Sequence, residues 1–477
     1  MKQGIVHMKN RDRYKRLLRI AAAVGILAIQ LALYTATWFT AYKEVGANQF
    51  VRGNLVILGL YVLMITFFYY TFGAFEIGRT RVFEIFYSQT LSILCTNVVT
   101  YLQLCLICRW QLGENVLPIL TMTGADLLLV LGWSFLTRWV FAKLYPPRKM
   151  LLIYGAYSPD NLLQKIQSRE DRYEVQESIN IESDFELIKE KILEYGNVVL
   201  TDTPAQKRNL LLKFCFENDV RCYCVPKISD IMVRSAKNIH LMDTTLLLFR
   251  NMGLTAEQKA WKRFVDIVLA LIGIVLSSPF MLIIALCVKL YDGGPVFFRQ
   301  DRLTEGGKVF RVFKFRSMRV QKEPAEYVLT RKEDDRITPV GKIIRNIHFD
   351  ELPQLFNILK GDMSFVGPRP ECPNLAEEYK QVIPQFDYRL KVKAGLTGYA
   401  QVYGKYNTTP YDKLKMDLHY IQNYSFFLDV KLVMLTVKIL FQKENTEGIE
   451  AWQTSAVRDN SLKPEETEEE KQEEPVN

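Results

Sequence analysis

The segment Arg345–Glu371, RNIHFDELPQLFNILKGDMSFVGPRPE, places two adjacent acids ahead of a proline-rich loop. The carboxylates of Asp350 and Glu351 repel each other, so one of them keeps a proton or recruits a cation unless positive charge lies close by. Pro353 follows the pair, and Arg369 lies within the Gly-Pro-Arg-Pro sequence of the loop. An acidic pair alone is common on protein surfaces, but this setting predicts a reaction centre.

Basic residues are crowded into the segment that precedes this pair. They alternate with valine and phenylalanine, which is typical of strands with one basic face. The crowded residues are Arg299, Arg302, Lys308, Arg311, Lys314, Arg316 and Arg319. A carboxylate can attack phosphorus to form an acyl phosphate, and phosphoryl transfer requires cations around the moving oxygens. The sequence therefore predicts a phosphate reaction in which arginines of this cluster, with Arg345 and Arg369, hold the phosphates.

The net charge of the 477 residues is +9, and it is unevenly distributed. From Val457 onward the chain has eight acids and three bases, a net of −5, so residues 1–456 carry +14. A basic body suits an anionic membrane surface and phosphate-bearing substrates. No aromatic-and-basic pattern predicts a nucleic-acid partner. The eight cysteines form neither a disulfide framework nor a zinc motif, and we expect them to serve in packing.

Four apolar runs near the N-terminus are long enough to span a membrane as helices. They are Ile20–Tyr42, Leu55–Phe75, Ile85–Cys108 and Ile119–Phe141. The basic residues before the first run, between the second and third, and after the fourth predict that both ends of this bundle are cytoplasmic. Lys43, Arg52 and Arg109 fall in the opposite loops. Asp126, in the fourth run, is predicted to lie at the interface or to pair within the bundle.

Residues 149–252 alternate strand and helix patterns, as in a Rossmann-like α/β module. The loop after the first strand, Gly155–Asp160, lacks the GxGxxG sequence, and Tyr157 stands where a glycine would let the backbone approach a pyrophosphate. This favours a structural or regulatory module over a dinucleotide site.

A fifth apolar stretch, residues 264–291, is interrupted by Ser277, Ser278 and Pro279. Proline removes a backbone donor and bends a helix, and serine hydroxyls can bond to the carbonyls that this frees. Each half is roughly 20 Å long, short of a ~30 Å bilayer core. We favour a re-entrant helix that returns to the cytoplasmic face, with a kinked spanning helix as the alternative. Further on, residues 426–441 are predicted to lie at the membrane interface, and residues 446–477 to form an acidic disordered tail.

Several ordered motifs between residues 260 and 441 resemble the bacterial sugar transferase family. The matching motifs are KRFVDI at 262–267, GPVFFRQDR at 294–302, KFRSM at 314–318, DELPQLFNILKGDMSFVGPRPE at 350–371 and GLTGYAQV at 395–402. The resemblance implies an α+β catalytic domain at 259–445, after the four-helix transmembrane domain at 1–148. This layout is similar to the large enzymes that initiate exopolysaccharide, capsule and O-antigen assembly in the bacterial inner membrane. Those transfer a hexose 1-phosphate from a UDP-sugar to undecaprenyl phosphate and release UMP.

The resemblance also implies roles for individual residues. Asp350 would be the nucleophile that forms a covalent phospho-sugar, and Glu351 its partner and a Mg²⁺ ligand. Phosphates would be bound by Lys314, Arg316, Arg345 and Arg369, with Gln401 contacting the nucleotide or sugar. Lys262, Arg263 and Asp266 would fix the re-entrant helix, which Ser278 and Pro279 break, while Pro353, Pro368 and Pro370 shape the loops. His348 departs from the family, which often has a small hydroxyl residue there.

Two other functions stay open from the sequence. A membrane-anchored NAD-dependent sugar-nucleotide dehydratase can share the layout, although the missing GxGxxG argues against it. A non-catalytic scaffold for polysaccharide-assembly proteins is the second, and the intact motifs disfavour it. A homodimer, assembled through the α/β module, is a further hypothesis.

Overall fold

The computed structural model describes residues 2–43, 53–107, 115–249, 253–319, 336–404 and 408–440. Arg52, Arg109 and the tail predicted at 446–477 lie outside this range. The chain divides into two compact units, Met1–Val225 and Pro226–Asn477. The segment 226–249, which the sequence analysis assigns to the α/β module, falls in the second unit.

Long apolar helices open the first unit, as the hydropathy predicts. They are α1 (Lys2–Thr40), α2 (Asn54–Thr71), α3 (Val82–Ile107) and α4 (Leu117–Leu144). Each contains a window apolar and long enough to cross a membrane. Aromatic packing joins α1 to α2, where the rings of Tyr34 and Tyr61 stack with centroids 4.0 Å apart. Asp126 is fully buried in the bundle, and its Oδ2 lies 3.5 Å from the side-chain nitrogen of Asn97.

A parallel four-stranded sheet completes the first unit. Its strands, in the order β2-β1-β3-β4, are β1 (Arg148–Tyr154), β2 (Tyr173–Asn180), β3 (Asn197–Thr201) and β4 (Arg221–Cys224). The connecting helices are α5 (Asp160–Gln167), α6 (Phe185–Tyr195) and α7 (Ala205–Glu217). Leu151 and Ile153 pack in the core that includes α6 and α7, whereas Met150 and Leu152 pack with residues of α5. Strand β1 is thus covered on both faces, which explains its continuous apolar run.

The loop after β1 is closed by an internal carboxylate. The Tyr157 backbone N–H donates to Asp202 Oδ2 at 3.2 Å. A Cβ at Gly155 would lie 1.8 Å from the Asp202 carbonyl oxygen, so only glycine fits this approach. A carboxylate therefore takes an amide that a phosphate would need in a nucleotide-binding loop.

The second unit begins with α8 (Ile228–Arg234) and an antiparallel hairpin, β5 (Lys237–Leu241) and β6 (Thr244–Leu248), which the sequence analysis does not predict. After α9 (Ala256–Asp292) comes a second antiparallel hairpin, β7 (Phe297–Leu303) and β8 (Val309–Phe315). Short parallel strands β9 (Ser364–Val366) and β10 (Gly395–Thr397) pair with each other. The remaining helices are α10 (Pro339–Asn346), α11 (Gln354–Lys360), α12 (Pro373–Val382), α13 (Tyr399–Tyr403), α14 (Pro410–Gln422) and α15 (Phe426–Leu440). The C-terminal domain thus mixes helices with small sheets, as expected.

Helix α9 is a single α-helix of 37 residues with Pro279 inside it. The sequence analysis expects two halves here, but the helix does not end at the proline. Pro279 removes the donor for the Val275 carbonyl, and the Ser278 hydroxyl donates to that carbonyl at 2.9 Å instead. The bond satisfies the carbonyl that the proline frees, so the helix can continue.

One face of α9 packs against the rest of the second unit. Ala270 lies in a core with Val312 of β8, and Val288 lies in a core with Phe315 of the same strand. The opposite faces expose large apolar side chains to the surroundings. These are Phe264, Val268, Leu271, Ile272, Val275, Leu276, Phe280, Leu282, Ile283, Leu286 and Leu290. Such a surface requires lipid or a partner to cover it.

Candidate active site

A 3₁₀ turn, Phe349–Glu351, presents the acid pair between α10 and α11. His348 begins the turn in the left-handed region at φ 56°, a conformation that is uncommon outside glycine. Pro353 then occupies the position before the first turn of α11, where its fixed φ fits. Because the backbone reverses direction at His348 and α11 starts after Pro353, Asp350 and Glu351 lie within a single turn.

Glu351 is fixed by two cations. Its Oε1 lies 2.5 Å from Lys314 Nζ and 3.3 Å from Arg369 Nη2. Burial alone would raise the pKa of Glu351, but the charges of Lys314 and Arg369 outweigh it and hold that pKa well below its ordinary value. Glu351 is therefore ionised at any physiological pH.

Asp350 has a different environment. Within the described part of the chain its carboxylate makes no hydrogen bond and no ion pair within 4 Å, unlike its neighbour. Burial and the charge of Glu351 raise its pKa, against the opposing effect of Lys314, Arg345 and His348. An unpaired carboxylate whose charge is disfavoured is suited to attack an electrophile. The structure thus gives the two acids different environments.

Asn357, which the sequence analysis does not single out, joins the strand of Lys314 to the helix after the acid pair. Its amide is fully buried and bonds twice to β8: Oδ1 accepts from Phe313 N at 2.9 Å, and Nδ2 donates to Arg311 O at 2.8 Å. The two bonds pin β8 beside α11. One sequence feature could have identified this residue: an asparagine inside an apolar helix, seven residues after Asp350.

The loop that carries Arg369 is held through its backbone. Pro368 O accepts from Gly395 N at 2.9 Å, and Pro370 O accepts from Arg302 Nη1 at 3.0 Å. The prolines that the sequence analysis assigns to loop shaping therefore supply acceptors as well as restricted φ angles. Behind the loop, Arg389 donates to the Arg369 carbonyl at 3.0 Å.

Two residues assigned to substrate have other partners in the structure. Arg316 is buried, forms a short ion pair with Asp292 at the end of α9, and packs against Gly294. Gln401, in α13, donates to the Leu396 carbonyl of β10 at 2.9 Å. By contrast, the charges of the other three residues act on the acid pair. Lys314 and Arg345 lower the pKa of Asp350, and Lys314 and Arg369 lower that of Glu351. Roles for Arg316 and Gln401 in binding substrate stay predictions.

Three residues assigned to the start of α9 anchor the helix, and each makes two contacts. Lys262 Nζ lies 2.6 Å from Asp429 Oδ2 and donates to Tyr420 OH at 3.1 Å. Arg263 donates to the carbonyls of Ile358 and Leu359 at the end of α11, at 2.6 and 2.7 Å. Asp266 accepts from Ser364 Oγ at 3.0 Å and Phe365 N at 2.9 Å.

The acid pair is compatible with the predicted Mg²⁺. Among the described residues, no three His, Cys, Asp or Glu side chains come together as a metal cluster. Mg²⁺ is commonly held by one or two carboxylates, several waters and the phosphates of a substrate, so it does not need such a cluster. Two adjacent carboxylates, one of them with a pKa held well below its ordinary value, meet that requirement.

Comparison with known proteins identifies a family for the chain. The family model for bacterial sugar transferases matches residues 257–443. A UDP-glucose:undecaprenyl-phosphate glucose-1-phosphate transferase of Caulobacter vibrioides is 39% identical over 189 residues, which cover 39% of this chain and 71% of that relative. The chain belongs to the bacterial sugar transferase family.

Two longer members of the family match over smaller shares of their length. A UDP-N-acetylgalactosamine-undecaprenyl-phosphate N-acetylgalactosaminephosphotransferase of Aeromonas hydrophila is 38% identical over 229 residues, or 47% of this chain and 53% of the relative. A UDP-glucose:undecaprenyl-phosphate glucose-1-phosphate transferase of Klebsiella pneumoniae is 43% identical over 218 residues, or 45% and 47%. The match thus spans about half the length of these two relatives. The part of the chain matched by the family model contains α9, the acid pair and Arg369.

Proposed function

We propose that the chain transfers a hexose 1-phosphate from a UDP-sugar to undecaprenyl phosphate and releases UMP. This would begin the assembly of an exopolysaccharide, capsule or O-antigen repeat unit at the cytoplasmic membrane face. The observation that carries the proposal is the division of the acid pair: Glu351 is bound by Lys314 and Arg369, whereas Asp350 has no hydrogen bond or ion pair among the described residues. The relatives, which are named as undecaprenyl-phosphate sugar-phosphate transferases, support the substrate class.

In the first step an oxygen of Asp350 attacks the β-phosphorus of the UDP-sugar. The bond from that phosphorus to the oxygen bridging the two phosphates breaks, and UMP leaves with this oxygen and its electron pair. The transition state places extra negative charge on the phosphate oxygens, which Arg369, Arg345 and Lys314 are positioned to stabilise. The product is an acyl phosphate that links Asp350 to the sugar.

In the second step a phosphate oxygen of undecaprenyl phosphate attacks the same phosphorus. The bond between phosphorus and the Asp350 oxygen breaks, which restores the carboxylate and gives the lipid diphosphate sugar. A phosphate acceptor is already ionised at neutral pH, so this step requires no general base.

Bound Mg²⁺ would neutralise charge on the phosphates of the donor. Glu351 and the donor phosphates are the groups that would hold it.

The contacts of α9 support a re-entrant placement. At 1.5 Å per residue a helix of 37 residues is roughly 55 Å long. Its beginning is held by Asp429 and its end is paired with Arg316, and both partners belong to the same unit. A straight crossing of a ~30 Å core would carry one end away from that unit. We therefore favour a helix that enters the membrane and returns to the cytoplasmic face, where both ends of the four-helix bundle are also predicted to lie.

The sugar is left open by the comparisons, because the relatives' names include glucose and N-acetylgalactosamine. The Rossmann-like module is proposed as a regulatory or docking surface, and the homodimer and assembly partners stay predictions.

UMP release tests the proposal. The purified chain in lipid nanodiscs is given a panel of UDP-sugars, with and without undecaprenyl phosphate, and UMP is measured. We expect UMP with at least one sugar, a phospho-sugar adduct on wild-type protein by mass spectrometry, and neither from Asp350→Asn. An adduct on Asp350→Asn would remove Asp350 from the mechanism, and wild-type protein that releases no UMP would contradict the function.

A further inference from the structure

A buried charged cluster lies behind the loop that carries Arg369. Only 3% of Arg389 and 1% of Asp417 is exposed. Arg389 Nη2 lies 2.8 Å from Asp417 Oδ2, and Nη1 lies 3.5 Å from Glu371 Oε1. The same guanidinium donates to the backbone carbonyl of Arg369 at 3.0 Å. One side chain therefore joins α14 to two residues of the loop.

Three successive loop residues are held in this way. Arg389 bonds to the carbonyl of Arg369, Arg302 bonds to the carbonyl of Pro370, and both arginines lie within 4.0 Å of the Glu371 carboxylate. The Glu371 carbonyl in turn accepts from Leu303 N at 2.9 Å. The loop backbone is fixed at every residue from 369 to 371, although the Arg369 side chain itself is half exposed.

Burying the charges of this cluster costs free energy on folding. Burial raises the pKa of Asp417 to about 6 even though Arg389 lies beside it, so the ionised carboxylate is disfavoured there. A buried ion pair generally stabilises no more than well-packed apolar side chains of the same volume. A directional role for the guanidinium, which meets several acceptors in fixed geometry, accounts for its presence better than stability does.

We propose that Arg389 is a positioning residue that fixes the backbone of residues 369–371 so that the Arg369 guanidinium meets Glu351. The proposal deepens the proposed function and rests on it. Because Arg389 bonds to the carbonyl of Arg369 itself, any shift of this contact moves the residue that pairs with the acid. Arg389 acts through Arg369 and does not touch substrate.

The test uses Arg389→Lys in the full-length chain in nanodiscs. Lysine can keep one ion pair but cannot reach the carbonyl and both carboxylates together. We expect kcat for UMP release to fall about 100-fold, as for a small misplacement of a catalytic group, with KM for the UDP-sugar changed much less. Arg169→Lys is the matched control, because Arg169 also pairs with an aspartate, Asp171, and donates to a backbone carbonyl, that of Arg79, but belongs to the first unit.

A double mutant separates positioning from general damage. If Arg389 acts through Arg369, then adding Arg389→Lys to Arg369→Ala lowers kcat no further, whereas independent effects multiply. A full second loss in the double mutant, or wild-type kcat in Arg389→Lys, would overturn the proposal. If Arg389→Lys does not fold, Asp417→Asn, which keeps the shape and removes the charge, replaces it in the same cycle.

Hydrogen exchange gives a readout that does not depend on activity. We expect Arg389→Lys to speed exchange at the amides of Arg369 and Glu371 and to leave α11 unchanged, and Arg169→Lys to change neither. Faster exchange throughout α12 and α14 would instead indicate a general structural role. If the wild-type chain releases no UMP, the proposed function fails, but the exchange comparison still decides whether Arg389 fixes the loop.

Discussion

Asp350 and Glu351 are neighbours in sequence with similar chemistry, yet their surroundings shift their pKa values in opposite directions. The pKa of Asp350 is raised by burial and by the charge of Glu351, so folding disfavours its charged form. The pKa of Glu351 is lowered because Lys314 and Arg369 outweigh its burial, so folding favours its charged form. Each shift is also a contribution to stability.

Substitution of the two acids by their amides should therefore change stability with opposite signs. Asp350→Asn removes a disfavoured charge and is expected to raise Tm at pH 7.5. Glu351→Gln leaves Lys314 and Arg369 without their carboxylate and is expected to lower it. Thermal unfolding of both variants in the same nanodiscs checks this, and shifts of the same sign would contradict the division of roles.

The pH dependence of activity should follow the raised pKa of Asp350. The nucleophile must be ionised, so the rate is lost as pH falls through a pKa that lies above the ordinary value of about 3.9. Lys314→Met removes a charge that opposes this shift, so we expect the acidic limb to move to higher pH. The pH profile of single-turnover UMP release measures it.

Lys308→Met is the control for that experiment. Lys308 is exposed and lies in the connection between β7 and β8, the hairpin that carries Lys314. It should leave the profile unchanged. A limb that moves equally in both variants would mean that surface charge, rather than Lys314, controls Asp350.

At the level of elements, the sequence predicts most helices and strands but not the partners that hold them. The apolar runs locate α2, α3 and α4 within about four residues at each end, because the hydrophobic pattern is local, whereas α1 begins at Lys2, well before the run that starts at Ile20. Arg316 illustrates the limit: its basic neighbours suggest phosphate binding, whereas the structure pairs it with Asp292. Arg389 and Asp417 are 28 residues apart in the sequence, and no local pattern indicates that they meet.

The beginning of α9 depends on a buried ion pair. The side chains of Lys262 and Asp429 are 8% and 14% exposed. Lys262→Met leaves Asp429 buried without its partner, which typically destabilises a protein by about 3–5 kcal/mol. We expect a clear loss of stability in denaturant or thermal unfolding.

Lys259→Met is the comparison, since Lys259 lies one turn earlier and pairs at the surface with Glu305. Surface pairs contribute about 0–1 kcal/mol, so its effect should be small. Equal losses in the two variants would show that the burial of Lys262 is not what secures α9.

At the scale of the whole molecule, the described residues include five helices apolar and long enough to cross a membrane, and the direction of the fifth, α9, decides on which side of the membrane the site lies. If α9 is re-entrant, both of its ends face the cytoplasm. Single cysteines at Gln258 and Asp292, introduced one at a time into a cysteine-free chain, should then react with a membrane-impermeant maleimide only in inside-out vesicles.

Asn115→Cys provides the opposite reference. Asn115 is exposed just before α4, in a loop predicted to lie outside the cytoplasm, so it should react in right-side-out vesicles. Labelling of Gln258→Cys and Asp292→Cys from opposite sides would establish a spanning α9 and contradict the re-entrant placement.

The ion pairs of Glu351 have a consequence for how the sugar nucleotide is used. An acid with a strongly lowered pKa is a weak base, and water must lose a proton to attack an acyl phosphate. A lipid phosphate arrives ionised and needs no such help. Under the proposed mechanism, the acyl phosphate on Asp350 therefore reacts with the lipid phosphate rather than with water. Lys314 and Arg369, which make Glu351 a weak base, would thereby keep the consumption of the UDP-sugar matched to the supply of lipid carrier.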